Sequence, residues 1–166
     1  MLKIKKVEKP DFFNKWIKNN KGYSLELRKY LLAEEQWKVC CYCEKTVSES
    51  PESSHIDHIR PKDKFPDLIH DYDNLTVSCQ TKKRCGHAKG NKFDENFIVP
   101  TEDSPGDYLT YSPNGEIRPV ENNKRGRETI DILHLNAPKL RPLSPAHVVG
   151  PRRGPCLRRP CRGLNF

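Results

Sequence analysis

Apolar positions in the first third of the chain recur at helical spacing. Pro10-Asp11 opens a short segment running through Trp16 and Ile17, and proline suits a helix's first turn. After Asn19-Asn20-Lys21-Gly22, Ser24 is the expected N-cap of a second helix, whose stripe of Leu27, Tyr30, Leu31 and Trp37 is expected to face the core. Between Val39 and Phe93 the texture changes to clustered Cys, His, Asp, Asn and Lys. Within it, Ile56 and Ile59 set among polar neighbours predict a short strand ending before Pro61. Further on, Tyr108-Leu109-Thr110-Tyr111 and Glu116-Ile117-Arg118 flank Ser112-Pro113-Asn114-Gly115. This is a hairpin signal, because Asn-Gly accepts positive φ. Arg127 to Leu135 predicts one more short helix burying Ile130, Leu133 and Leu135.

These signals divide the chain into a helical region (1–38), a chemistry-rich core (39–100), a hairpin-and-helix extension (101–136) and a tail (137–166). The tail has six prolines, seven basic residues and no apolar periodicity, so it is expected to be disordered. A frame-shifted or read-through end is one reading of it. The fold class is α+β, and there is no internal repeat.

Composition changes this picture in two ways. An apolar share of 34% leaves only a modest core, which makes a metal or disulfide staple useful and draws attention to seven cysteines. The net charge of +8 invites a nucleic-acid partner, but removing the tail's seven basic residues leaves 23 basic against 22 acidic in residues 1–136. Net charge therefore says little about the folded part. The N-terminal Met1-Leu2-Lys3-Ile4-Lys5-Lys6 leads into no apolar run, and no stretch approaches membrane-spanning length. A cytoplasmic protein without a membrane partner is expected, and in that compartment paired cysteines favour metal over disulfide.

Cys40 and Cys43 form a Cys-x-x-Cys pair, and Cys79 and Cys85 form a wider second pair. Four thiolates would make a closed structural zinc site tying the start of the core to its end. Buried free cysteines, or a site completed by a histidine such as His87, are the competing readings. Cys41 is expected to be a spare.

Asp57-His58, Asn74 and His87, in that order between and beyond the cysteine pairs, resemble the HNH endonuclease motif. The resemblance implies a small ββα-metal core, here stapled by a zinc knuckle pair and flanked by helices. It also implies one catalytic divalent cation between hairpin and helix; a donor set of Asp, Asn and His with open positions suits magnesium or manganese, with zinc or nickel as alternatives. His58 then suits the general base, since an imidazole titrates near neutral pH. Asp57, on the opposite face of the strand, is implied as a ligand of the ion together with His87. Asn74 is implied to hold the His58 loop. Asn91, one helical turn after His87, is a further candidate ligand. His55, two residues before Asp57, is expected to support the site rather than ligate. Arg60, Lys62, Lys89 and Lys92 are candidate phosphate contacts, each equally readable as solvated surface.

Further segments narrow the likeness: Cys41-Tyr42-Cys43-Glu44, His58-Ile59-Arg60-Pro61-Lys62, Cys85-Gly86-His87-Ala88-Lys89-Gly90, Tyr111 with Gly115, and Ile130, Leu133 and Leu135-Asn136. Together they resemble the HNH nuclease subunit of bacterial Septu anti-phage systems and of retron-linked defence modules, over about residues 10–140. What that implies is a nuclease acting on DNA or RNA beside an ABC-type ATPase subunit. In the retron version a reverse transcriptase and its RNA–DNA product join the assembly. The tail departs from the family, whose members continue with helical sequence there. Two other functions remain open: a zinc-stapled module that binds nucleic acid or a partner without cutting, and an HNH enzyme of repair or restriction.

Overall fold

A computed structural model describes residues 1–18 and 25–137. The expected Ser24 cap and the tail from residue 138 onward lie outside the described residues. Helix α1 (Asp11–Lys18) starts where Pro10 accepts from the Phe13 amide at 2.9 Å, and it buries Phe13 against Tyr72 with ring centroids 5.4 Å apart. Helix α2 (Leu25–Tyr30) buries Leu27 and then widens into a π turn over Leu31–Glu35, closed by a Gln36 N–H donating to the Leu31 carbonyl at 3.1 Å.

That widened turn corrects the expected stripe. The extra residue per turn rotates the following positions off the buried face, and Trp37 leaves the helix at φ +47 with 69% of its surface exposed. Leu32 and Gln36 are buried instead. The Gln36 amide reaches the edge of strand β2 (Leu75–Cys79), where it accepts from the Val77 N–H at 2.7 Å and donates to the Val77 carbonyl at 2.9 Å. A side chain thus does for that edge what a third strand would do.

Strand β1 (Ser54–His58) pairs antiparallel with β2 in the register His55 to Ser78, Asp57 to Thr76 and His58 to Leu75. Alternation therefore places His55 and Asp57 on one face, Ile56 and His58 on the other. The long connection carries two 3-10 turns, Pro66–Leu68 and Tyr72–Asn74. After β2 the chain enters a short helix, α3 (Cys85–Lys89), which Gly90 ends at φ +48. Hairpin and helix give the ββα order expected for the core.

The extension follows its predicted outline. Strands β3 (Leu109–Tyr111) and β4 (Ile117–Pro119) pair around a turn in which the Gly115 N–H donates to the Ser112 carbonyl at 2.8 Å, with Gly115 at φ +78. Helix α4 (Lys124–Leu133) begins three residues earlier than predicted, because Asn123 caps it by accepting from the Gly126 N–H at 3.2 Å. A Cβ on Gly126 would lie 2.5 Å from the Tyr108 carbonyl oxygen, so only glycine allows this close seating of α4 on the hairpin. The helix closes with His134 in the left-handed region at φ +48. The His134 and Leu135 amides turn back to the carbonyls of Asp131 and Ile130 at 3.3 and 3.1 Å. Leu135 is buried as expected, though beyond the helix rather than on it.

One apolar core runs through all of this, from Ile4 and Phe13 through Leu31, Ile59, Leu75 and Val77 to Phe97, Ile130 and Leu133. Among the described residues no helix is long and apolar enough to cross a membrane.

Candidate active site and cysteine knuckle

The cysteine knuckle is built on a tight turn. Val39 bridges Thr46, the Cys40 N–H donates to the Lys45 carbonyl at 2.9 Å, and the Glu44 N–H returns to the Cys40 carbonyl at 2.9 Å. Glu44 sits at φ +58 to complete it. The turn aims Cys40 and Cys43 at Cys79, the last residue of β2, and Cys85, the first of α3. All four sulfurs lie within 4.8 Å of one another. Cys43 and Cys79 sulfurs are 3.9 Å apart. Zinc bonds of about 2.3 Å in a tetrahedron separate neighbouring sulfurs by about 3.8 Å, so this thiol quartet fits a four-coordinate ion. Among the described residues it is the one group of three or more Cys, His, Asp or Glu side chains so gathered. Cys41 points away to Thr76, 3.4 Å from its hydroxyl, and burial pushes its thiol well up. The structure thus brings the four expected cysteines together and leaves Cys41 out.

On the hairpin, Asp57 and His58 face opposite ways, and each is held by partners. The Asp57 carboxylate accepts from the Tyr42 hydroxyl at 2.6 Å and from the Lys89 ammonium at 3.3 Å, both at Oδ2. Tyr42 is fully buried, and burial next to Asp57 pushes its phenol well up, so it stays a donor. Lys89 also donates to the His58 carbonyl at 2.8 Å. It was a candidate phosphate contact; at 1% exposure its ammonium instead fixes Asp57 and the end of β1 from inside.

The His58 ring is half-buried. A carbonyl can only accept, so the 3.1 Å approach of Nε2 to the Ile69 carbonyl means Nε2 carries the proton and Nδ1 the lone pair of the neutral ring. Burial pushes this imidazole below its ordinary value, which favours the neutral form near pH 7. Asn74 accepts from the Arg60 N–H at 2.8 Å and donates to the carbonyls of Arg60 and Leu68 at 3.0 and 3.1 Å. It therefore ties the segment just after His58 to the turn just before Ile69.

The third element of the motif is arranged less simply. His87 lies on α3, and its Nε2 is 2.6 Å from the Gln80 side-chain oxygen. His55 presents Nδ1 to the same oxygen at 3.1 Å, and the two rings cross edge to face with centroids 5.0 Å apart. Gln80 accepts from both, so the remaining lone pairs sit on His87 Nδ1 and His55 Nε2. Gln80 is in turn anchored by donating to the Pro51 carbonyl at 2.7 Å. The helix leaves room for the His55 ring only because residue 86 is glycine: a Cβ there would meet His55 Nε2 at 2.6 Å.

Asn91 is not one turn along the same helix face as His87. Helix α3 stops at Lys89, and the Asn91 amide donates to the Asp63 carboxylate. Arg60 is engaged too, forking onto Glu102 at 2.7 and 2.9 Å, while Lys62 and Lys92 are exposed. Sequence reasoning gave Tyr42, Gln80 and Gln36 no role. Tyr42 meets Asp57 15 residues away, Gln80 meets His55 25 away as well as His87 seven away, and Gln36 meets Val77 41 away, and no regular periodicity points to such pairs.

The ββα hairpin-and-helix thus carries Asp57-His58, a buried asparagine and a helix histidine in the order of the HNH motif. Residues 40–92 match the HNH endonuclease family model. The chain is also similar to the Septu protein PtuB of Bacillus thuringiensis, with 34% identity over 113 residues, 65% of this chain. It spans 40% of that relative's length. The likeness to an HNH subunit of Septu, expected from the sequence, stands on these two matches; no retron link accompanies it.

Proposed function

We propose that the chain is a metal-dependent endonuclease that hydrolyses phosphodiester bonds of nucleic acid, working as the effector nuclease of a bacterial anti-phage assembly. The observation that carries this reading is the pair of opposed side chains on β1, Asp57 held at Oδ2 and His58 held through Nε2.

Asp57 and His87 would hold the catalytic ion. Among the described residues no hydrogen bond falls on Asp57 Oδ1, and a hard ion such as magnesium or manganese binds through one or two carboxylates while keeping several waters. When bound, that ion supplies counter-charge to the scissile phosphate and to the leaving oxygen. His58 Nδ1 takes the proton of the attacking water, and the Ile69 carbonyl keeps the ring in the tautomer that can do so. Asn74 holds the ring's two supports together, and Lys89 holds the strand end beneath it. The four cysteines would hold structural zinc, which fixes where β2 hands over to α3.

The similarity to Septu PtuB supports a defence assembly, in which the resemblance to Septu nuclease subunits implies an ABC-type ATPase subunit as partner. A reverse transcriptase with its RNA–DNA product is the partner set of the retron alternative, and co-purification with the products of neighbouring genes separates the two. DNA and RNA are both candidate substrates.

Replacing His58 with alanine is the direct test. Purified His58→Ala should lose cleavage by roughly 10²–10⁴-fold, the usual worth of a positioned base, with zinc content and melting temperature unchanged. Wild-type cleavage by the folded variant would remove the catalytic assignment of His58, whereas a wild-type protein that binds nucleic acid without cutting it in Mg²⁺ or Mn²⁺ would be a zinc-stapled binding module.

A further inference from the structure

Tyr42 belongs to the cysteine turn, lying between Cys40 and Cys43, yet its hydroxyl ends on the carboxylate assigned to the catalytic ion. Its ring is fully buried and crosses Phe97 edge to face, with centroids 6.4 Å apart, so its position follows the knuckle rather than solvent. We infer that Tyr42 is a positioning residue that couples the four-cysteine knuckle to the catalytic ion through Asp57 Oδ2. This rests on the reading of Asp57 as a ligand given above.

The physical argument concerns which oxygen remains. Tyr42 and Lys89 both take Oδ2, from the knuckle side and the α3 side. Both donors are buried, and both elements are anchored by the cysteines: the turn by Cys40 and Cys43, the helix by its first residue, Cys85. With Oδ2 fixed at two points the carboxylate cannot rotate, and Oδ1 is presented as a single ligand atom in a fixed direction. A donor behind a metal ligand orients it and tunes its basicity, and its loss typically weakens metal affinity about 10- to 100-fold. The same arrangement means that the thiol cluster does more than hold the fold. Any shift of the Cys40–Cys43 turn moves the Tyr42 hydroxyl and with it the ligand.

Tyr42→Phe removes one oxygen and keeps the buried ring. Direct Mn²⁺ binding, followed by the electron paramagnetic resonance of free ion, should weaken about tenfold. In cleavage assays the Mn²⁺ concentration for half-maximal rate should rise by the same factor, while the rate at saturating Mn²⁺ stays within about threefold of wild type. Zinc per chain should be unchanged. A merely structural tyrosine would lower the melting temperature and the maximal rate together, without moving the metal midpoint. Asp57→Ala, run alongside, separates the two readings. If it binds Mn²⁺ like wild type, the ligand assignment itself is wrong. If it loses Mn²⁺ while Tyr42→Phe retains wild-type affinity, only the coupling is wrong. Should Tyr42→Phe not fold, the wild-type protein with ¹¹³Cd at the cysteines decides: Mg²⁺ addition should shift the cadmium resonance, and an unmoved resonance under saturating Mg²⁺ overturns the coupling.

Discussion

Asn74 satisfies both backbone groups of Arg60, accepting from its N–H at 2.8 Å and donating to its carbonyl at 3.0 Å, while its second amide hydrogen reaches Leu68. Because Asn74 is buried, its loss exposes no water to replace those three bonds. Asn74→Ala should therefore destabilise the fold by about 1–3 kcal/mol, the usual cost of leaving buried backbone groups unpaired. Cleavage should fall much further than the folded fraction does, because the Ile69 carbonyl and the end of β1 lose their common tether. Urea titration and cleavage of the same preparation give both numbers. A stable variant with wild-type rate would reduce Asn74 to a turn residue.

The amide of Gln36 serves Val77 in the same two-bond fashion, as Asn136 serves Ile117 at 2.8 and 2.7 Å. Both two-stranded sheets thus have an edge closed by a side-chain amide. Gln36→Leu should cost about 1–3 kcal/mol by uncovering the Val77 N–H, although its volume fits. Trp37→Ser, one residue on, should stay within about 0.5 kcal/mol, as surface changes do. Chemical melts of the pair check this, and equal losses would mean the π turn is not the resting geometry.

That contrast shows where sequence reasoning worked and where it stopped. The Asn114-Gly115 hairpin was legible because turn chemistry is local, and the cysteine quartet because thiols at those spacings have few other uses. Asp57 and His58 were legible as opposed side chains because strand alternation settles it. Trp37 was misplaced because the stripe assumed a regular 3.6-residue turn to its end, and one π turn changes the phase. Asn91 was placed on the helix for a different reason: its four-residue spacing from His87 was counted through Gly90, which ends the helix at φ +48. Tyr42 acts on Asp57, Gln36 on Val77 and Gln80 on His55, partners brought close only by the tertiary fold; Gln80 also meets His87 seven residues on, but no helical or strand period links the two.

Metal removal should act on the fold before it acts on chemistry. Cys43→Ser breaks the quartet, so zinc per chain should drop sharply and thermal unfolding should become independent of added chelator. In the wild type a strong chelator should lower the melting temperature, since binding energy of a structural ion is folding energy. Cys41→Ala should keep full zinc content, because that thiol faces Thr76 and not the cluster. Zinc release measured by a colorimetric chelator distinguishes the variants. Full zinc in Cys43→Ser would mean that a histidine or Cys41 completes the site.

Four basic side chains flank the site, but their surroundings predict different effects on nucleic-acid binding. Lys62 is exposed and has no ion pair among the described residues, so its charge is available to a phosphate. Lys62→Ala should weaken binding to duplex DNA evenly across sequences and reduce the slope of log K against log salt by about 0.9. Arg60 already neutralises Glu102 at 2.7 Å, so Arg60→Ala should change that slope less. Lys89→Met should leave the slope unchanged, because a buried ammonium meets no phosphate. It should instead cost about 3 kcal/mol of stability by leaving Asp57 without its partner, and should suppress cleavage at all salt concentrations. Filter binding from low to high salt, with a melt of each variant, tests the set. A reduced salt slope in folded Lys89→Met would show that this lysine swings out to the substrate, contrary to the geometry that holds it on His58 and Asp57.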